Sequence, residues 1–230
     1  MKPTAASPSA LWSGTDLIWS GDGKTYLRGV GAEYLLHPFF EEGYNKIINN
    51  YKPKRRYRVG LFIPCAYGKP YSQSYIHYFI LKTLRTLGER YPDIHQIIAS
   101  NSGVIPRELE EHYPYCCYDW NPKYETSEIK ELYTETLRRR LRRYLEGFRS
   151  FYDGFACYLR WNSESYRAIT MLESDLPGIK IPNLSLHAKS IPKKEIKQAS
   201  LGIYDYEEDL ILITPSNLRS LRSSLRRLLR

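Results

Sequence analysis

One segment restricts the fold of this chain more than any other. Tyr57–Pro64 reads Tyr-Arg-Val-Gly-Leu-Phe-Ile-Pro, and its stretch Val59-Gly60-Leu61-Phe62-Ile63 is apolar on both sides of the pleat. A strand with one wet face alternates polar and apolar residues; a strand without polar positions needs helices over both faces, as in the middle of a parallel sheet. The chain that follows has the matching rhythm. It predicts a helix over Ser72–Arg90, a strand at Ile94–Ser100, a short helix at Pro106–His112, a strand near Tyr115–Asp119, a long helix over Ser127–Ser150, a strand at Phe155–Trp161 and a helix over Ser163–Glu173. Ile76, Phe79, Ile80, Leu84 and Leu87 recur at helical spacing, as do Leu137, Leu141, Tyr144, Leu145 and Phe148. Alternating strand and helix predict a three-layer α/β sandwich with a mainly parallel central sheet.

The ends are read separately. Residues 1–35 form an N-terminal extension with a hairpin, strands at Asp16–Ser20 and Thr25–Val30 joined by Gly21-Asp22-Gly23. Residues 36–230 form a single α/β core, opening with a helix from Pro38 to Tyr51 and the basic linker Lys52–Arg56. Ile179–His187 and Asp209–Thr214 are further candidate strands, and Asp205–Asp209 is an acidic patch. A basic C-terminal helix follows, with Thr214 as its cap, Pro215 at its first position and Leu218, Leu221, Leu225, Leu228 and Leu229 as its apolar stripe. The length of 230 residues suits one such domain.

Charge bears on the partner. Thirty-four Lys and Arg against 25 Asp and Glu leave +9, concentrated in Arg138, Arg139, Arg140, Arg142 and Arg143 and in Arg219, Arg222, Arg226, Arg227 and Arg230. Clustered guanidinium groups suit a phosphate backbone and equally suit a solvated helix face. The 21 Tyr and 4 Trp supply stacking surfaces. There is no apolar run of the roughly 18 residues that cross a bilayer, which predicts a cytoplasmic protein without a membrane partner. Four cysteines, two adjacent as Cys116 and Cys117, fit neither a disulfide framework nor a zinc spacing and read as reduced thiols. His37, His77, His95, His112 and His187 are scattered, so no metal is expected.

Chemistry concentrates in residues 64–77, Pro-Cys-Ala-Tyr-Gly-Lys-Pro-Tyr-Ser-Gln-Ser-Tyr-Ile-His, which run from the central strand into its helix. Ligands in open α/β sheets gather at the carboxyl ends of strands. This loop brings a thiol, an amine, hydroxyls and an imidazole to that address, beside a helix start that favours negative charge. Lys69, the helix terminus and His77 would each favour the thiolate of Cys65. Taken singly, each residue has a plainer role: Cys65 as a small buried apolar group, Ser72 or Ser74 as an N-cap, His77 as a solvent-facing side chain.

Residues 64–77 match Pro-Cys-x-x-x-Lys-Pro-Tyr-x-x-Ser-x-x-His, a pattern of the archaeosine synthase family, archaeal enzymes similar to tRNA-guanine transglycosylase. A second block, Ser102-Gly103-Val104-Ile105-Pro106-Arg107-Glu108-Leu109-Glu110 with Tyr113-Pro114 and Tyr118-Asp119, resembles that family's core domain. The similarity runs from about Pro38 to Trp161. It implies a uracil-DNA-glycosylase-like fold and a transferase that joins the side-chain amine of lysine, the co-substrate, to the nitrile of a 7-deazaguanine base in tRNA, with no other cofactor. It implies Cys65, Lys69 and His77 as catalytic residues, and Tyr71, Ser72, Ser74, Gly103, Arg107, Glu108 and Asp119 as substrate-binding residues. Arg138, Arg139, Arg142, Arg143, Arg222, Arg226 and Arg227 are the expected RNA contacts. The family's transglycosylase-like barrel and PUA domain have no counterpart here, which leaves a separate chain supplying them, a minimal protein that finds tRNA with its own Arg-rich helices, or a core domain with another substrate; a radical-SAM partner is implied downstream. Two other readings stand beside this one: a non-catalytic RNA-binding module or accessory subunit with the same core, and a glycosylase-like hydrolase. The hydrolase would need a water-activating carboxylate, and residues 64–77 contain none.

Overall fold

The structure, a computed structural model, describes residues 27, 29–112, 115–118, 120–200 and 208–230. Most of the N-terminal hairpin expected before residue 31 lies outside the described residues. After a single helical turn, α1 (Ala32–Leu35), comes α2 (Pro38–Asn50), with Pro38 at its first position and the His37 ring accepting from the Phe39 N–H. The remaining elements are β1 (Tyr57–Pro64), α3 (Tyr75–Arg85), β2 (Ile94–Ser100), β3 (Gly103–Pro106), α4 (Ser127–Phe148), β4 (Tyr152–Cys157), α5 (Glu164–Asp175), α6 (Lys193–Ser200) and α7 (Pro215–Leu228).

The sheet order is β3-β2-β1-β4, with β1 parallel to both β2 and β4 and only β3 antiparallel. Helices α2, α4 and α5 cover one face, and α3 and α7 the other, giving the three-layer α/β sandwich the alternation predicts. Leu61, Phe62 and Ile63 of the central strand are fully buried. Gly60 interrupts this apolar run for a reason visible across the sheet. A Cβ there would stand 2.7 Å from the Phe155 ring and 3.0 Å from that of Tyr152, both on the neighbouring strand β4. Helices α3, α4, α5 and α7 each begin at a Ser or Thr whose hydroxyl accepts a backbone N–H of the first turn: Ser74, Thr126, Ser163 and Thr214.

Several expected elements differ. Pro106–His112 is not a helix: the chain turns at Asn101-Ser102, pairs Gly103–Pro106 antiparallel to β2, and closes in a 3-10 turn at Arg107–Leu109. The β-branched Val104 and Ile105 are what place it in the sheet. Residues 115–118 are buried and fill the core, but they form no strand. The strand expected at Phe155–Trp161 starts earlier, at Tyr152, and ends at Cys157. Ile179–His187 contributes one bridge, Cys157 to Asn183. Pro182 cannot donate, and the Asn183 side chain takes both backbone groups of Leu159, which ends the ladder. Glu208–Ile213 is a 3-10 segment rather than a strand, and α6 has no counterpart among the expected elements. The helix expected over Ser72–Arg90 is broken into a 3-10 turn at Tyr71–Gln73, α3, and a second 3-10 stretch from Gly88, at φ +62°, to Asp93. No helix among the described residues is long and apolar enough to cross a membrane.

Gly60→Val is expected to lower unfolding free energy by about 1–3 kcal/mol through overpacking against Phe155 and Tyr152. Urea unfolding checks this; a variant as stable as the parent would show that β4 gives way without cost.

Candidate functional site

The loop 65–73 joins β1 to α3 and passes over the carboxyl ends of the strands. Its two ends are tied to one buried ion pair. Arg107, just past β3, donates to Glu110 at 2.7 Å, and the same Glu110 oxygen accepts the Ser72 N–H at 3.0 Å. Arg107 also reaches His77 Nδ1 at 2.7 Å and Gln96 Oε1 at 3.0 Å, while His77 Nε2 stands 2.9 Å from the Pro64 carbonyl. An arginine can only donate, so Nδ1 accepts and Nε2–H donates to Pro64. Glu110, Arg107 and His77 thus clamp the peptide that precedes Cys65. Burial and the adjoining guanidinium hold His77 well below its ordinary value of 6.5, and it stays neutral.

Between these anchors the loop carries Cys65, partly buried, and Lys69, whose Nζ is 3.9 Å from the Cys65 sulfur. Lys69 also bonds the Ala66 carbonyl, approaches that of Tyr67 at 3.5 Å and lies over the Tyr71 ring. Gly68 is required by close approach: a Cβ would fall 3.1 Å from Ser74 Cα, at the cap of α3. Tyr71 is fully buried, its hydroxyl 2.5 Å from Ser100 Oγ, with Ser102 linking that pair to the Cys116 carbonyl. Burial pushes the Tyr71 phenol well up.

Cys65 opens into a cavity of about 400 Å³ at the carboxyl ends of β1, β2 and β4. Cys65, Asn101, Trp120 and Tyr133 are among the residues that line it. The rest of the lining is charged: Glu125, Glu164, Glu208 and Asp209 stand with Lys123, Lys130 and Arg160. Arg160 bonds Asp209 at 3.1 Å and Glu208 at 2.7 Å, and Lys130 lies 3.7 Å from Glu164. Burial raises the Glu125 carboxyl, against the bond it receives from Trp120 Nε1 at 2.6 Å. Burial likewise raises Asp209, against the pull of Arg160. With four carboxylates against three cations, the lining carries a small excess of negative charge, which favours a positively charged group. Among the described residues, no cluster of His, Cys, Asp and Glu is gathered as a metal site.

The sequence-predicted residues divide accordingly. Cys65 and Lys69 come together, with Cys65 at the cavity; His77, expected to exchange protons there, is sealed behind the loop as a clamp. Tyr71, Ser72, Ser74 and Arg107 anchor the loop rather than line the cavity. Gly103, at φ +150°, serves the β2–β3 turn. Glu108 is at the other end of the sheet, bonded to Tyr51 at 2.6 Å and His95 at 3.0 Å. His95 is level with Gly60, about 16 Å along the strand from Cys65. Burial alone would raise the Glu108 carboxyl, but His95 and Tyr51 bring it down to about 2. Asp119 lies outside the described residues. Most of the arginines expected to meet RNA from α4 are engaged with carboxylates: Arg138 with Asp175 and Glu135, Arg139 with Glu41, Arg142 with Glu146, while Arg143 bonds Asn45. The cavity residues Glu125, Lys130, Arg160, Glu164 and Asp209 were missed as a group. The acidic run at 205–209 was the one visible signal, since the others come from segments that meet only in the fold.

The fold and site define an α/β domain with a cysteine- and lysine-bearing loop at the end of its central strand, facing a charged cavity. The family model described as "Domain of unknown function (DUF5591)" matches residues 42–181, and the chain belongs to that family. Two relatives named archaeosine synthase subunit alpha are similar to it. One, from Thermoplasma acidophilum, is 35% identical over 96 residues, 41% of this chain and 18% of the relative. The other, from Methanosarcina acetivorans, is 45% identical over 62 residues, 26% of this chain and 9% of the relative. The matched segment thus spans less than a fifth of either relative's length. A crystal structure of AF0587, described as a protein of unknown function, aligns over 81% of this chain and 48% of its own at 19% identity and a TM-score of 0.44.

The clamp makes stability pH-dependent. His77 is held neutral in the folded chain, whereas in the unfolded chain it takes up a proton as pH falls through 6.5. Its contribution is therefore complete above that value and is lost below it. His77→Gln should make unfolding free energy fall less steeply between pH 6 and 5, by up to about 1.4 kcal/mol per pH unit. His112, lowered to about 4 by burial, supplies a similar slope in both proteins. Identical slopes in chemical denaturation would show that His77 is not held neutral.

Proposed function

We propose that this chain acts on tRNA in archaeosine formation, with the Cys65 loop as its reaction centre. The observation that carries the reading is the Cys65–Lys69 contact of 3.9 Å, with Cys65 lining the cavity beyond the central strand. The names of the two relatives point to archaeosine formation; the resemblance carried by residues 64–77 implies the substrates, a 7-deazaguanine base carrying a nitrile in tRNA and an amine that joins it.

In this reading the Cys65 sulfur adds to the nitrile carbon, one C–N π bond breaks, and the nitrogen takes a proton, giving a thioimidate. The neutral amine of lysine then attacks the same carbon, the C–S bond breaks, and the thiolate leaves an amidine. Lys69 stands where it offsets negative charge on sulfur and nitrogen. His77 cannot move the protons, because both ring nitrogens are already committed. Glu125 and Asp209, raised by burial and lining the cavity, are better placed to exchange them. The same acidic rim suits the second ammonium group of lysine. The sealing of His77 also favours a second reading, in which the loop holds a base without reacting with it.

Cys65→Ala separates the two. With tRNA carrying the nitrile base and lysine present, the wild-type chain, with any partner it requires, is expected to form the lysine adduct, and the variant to lose about a hundredfold or more in rate, as for loss of a nucleophile. Mass spectrometry of tRNA nucleosides reads this. Wild-type adduct levels in the variant would remove the covalent role.

A further inference from the structure

We propose that the outer faces of α3 and α7 form the surface that carries the RNA strand leading to the Cys65 cavity; this rests on the tRNA reading above. The two helices pack side by side on one face of the sheet, and Arg90 donates to the Leu229 carbonyl at 3.1 Å where they meet. Their buried stripes, Ile76, Ile80, Leu81 and Leu84 on α3 and Leu221 and Leu225 on α7, face inward. The outer faces are then set by the helical period. That of α3 presents Tyr78, Lys82 and Arg85, and that of α7 presents Arg222, Arg226 and Arg227, all exposed.

Two observations distinguish this face from the basic helix α4. Lys82, Arg85, Arg222 and Arg226 have no carboxylate partner among the described residues, in contrast to the arginines of α4, most of which are tied to Asp or Glu. An unpaired cation keeps its full attraction for a phosphate, whereas a paired one must first be parted from its carboxylate. Large aromatic rings are also exposed along the path from the cavity. Tyr67, at its mouth, is 46% exposed, and Tyr78, on the outer face of α3, is 57% exposed. Base stacking uses such rings, and phosphates use the cations beyond them. Helix α3 covers about 16 Å from its first residue, beside the Cys65 loop, to Arg85. A nucleotide seated in the cavity would direct its neighbours along this line.

The test is tRNA binding by the full chain, titrated between 50 and 200 mM salt. Replacing Lys82, Arg85, Arg222 and Arg226 with Gln should flatten the slope of log affinity against log salt by about 0.7 for each phosphate that is no longer neutralised. Replacing Arg139, Arg142 and Arg143 with Gln should leave the slope as it is. Tyr78→Ala should weaken binding about fivefold to a hundredfold at unchanged slope. All of these side chains but the half-buried Arg143 are exposed; circular dichroism confirms folding, and the Lys82/Arg85 and Arg222/Arg226 pairs tested separately should each give part of the change. An unchanged slope in the fourfold variant, equal flattening in the α4 variant, or no salt-dependent binding by the wild-type chain would overturn the proposal. A chain that binds along this face and forms no adduct would lose the catalytic reading alone, and one that forms adduct with binding elsewhere would lose this one alone.

Discussion

The site depends on one buried chain of contacts, from Glu110 through Arg107 and His77 to the carbonyl of Pro64. It joins the β3 edge of the sheet to the end of the central strand and fixes the peptide from which Cys65 extends. The same Glu110 holds the far end of the loop at Ser72, so one charged pair sets both ends of the nine residues between β1 and α3's cap. Buried polar groups are costly when unpaired, and a network in which each member is satisfied specifies one arrangement. With the ends fixed, Lys69 folds back over the loop carbonyls, and its ammonium comes to rest beside sulfur.

This arrangement explains why the fold was more legible than the site. The central strand announced itself because burial on two faces leaves no polar position, and α3, α4 and α7 announced themselves through periodic apolar residues, α3 and α7 also through Ser or Thr caps. β3 was hidden by its shortness and by a following Pro-Arg-Glu that reads as a helix start. Residues 115–118 and 179–187 read as strands because apolar runs look alike whether or not a neighbour offers hydrogen bonds. In the site, Cys65 and Lys69 were legible from spacing on one loop. His77 belongs to the same run of residues, yet its direction was set by Arg107, thirty positions on. Glu108 is next in sequence to Arg107 and faces the opposite end of the sheet, which no local pattern reveals. The acidic rim gathers residues from four segments, and no single segment carries its pattern.

Charge follows the same division. Net charge showed that the chain is basic, and clustering suggested two arginine helices as equals. The fold separates them: α4 spends its guanidinium groups on holding α2 and α5, while α7 leaves Arg222 and Arg226 outward beside α3. Around the cavity the balance reverses, with carboxylates outnumbering cations. A basic outer face and an acidic pocket on one domain suit a polyanion that stays outside and a cation that enters.

The central claim is that the cavity at the end of β1 is where the nitrile-bearing base meets sulfur. Crystals of the chain soaked with that base and lysine test it most directly. The account predicts electron density for the base in the cavity, with its nitrile carbon at the Cys65 sulfur and the lysine ammonium against the Glu125 and Asp209 rim. Density for the base elsewhere on the chain, with the cavity still open to solvent, would contradict it.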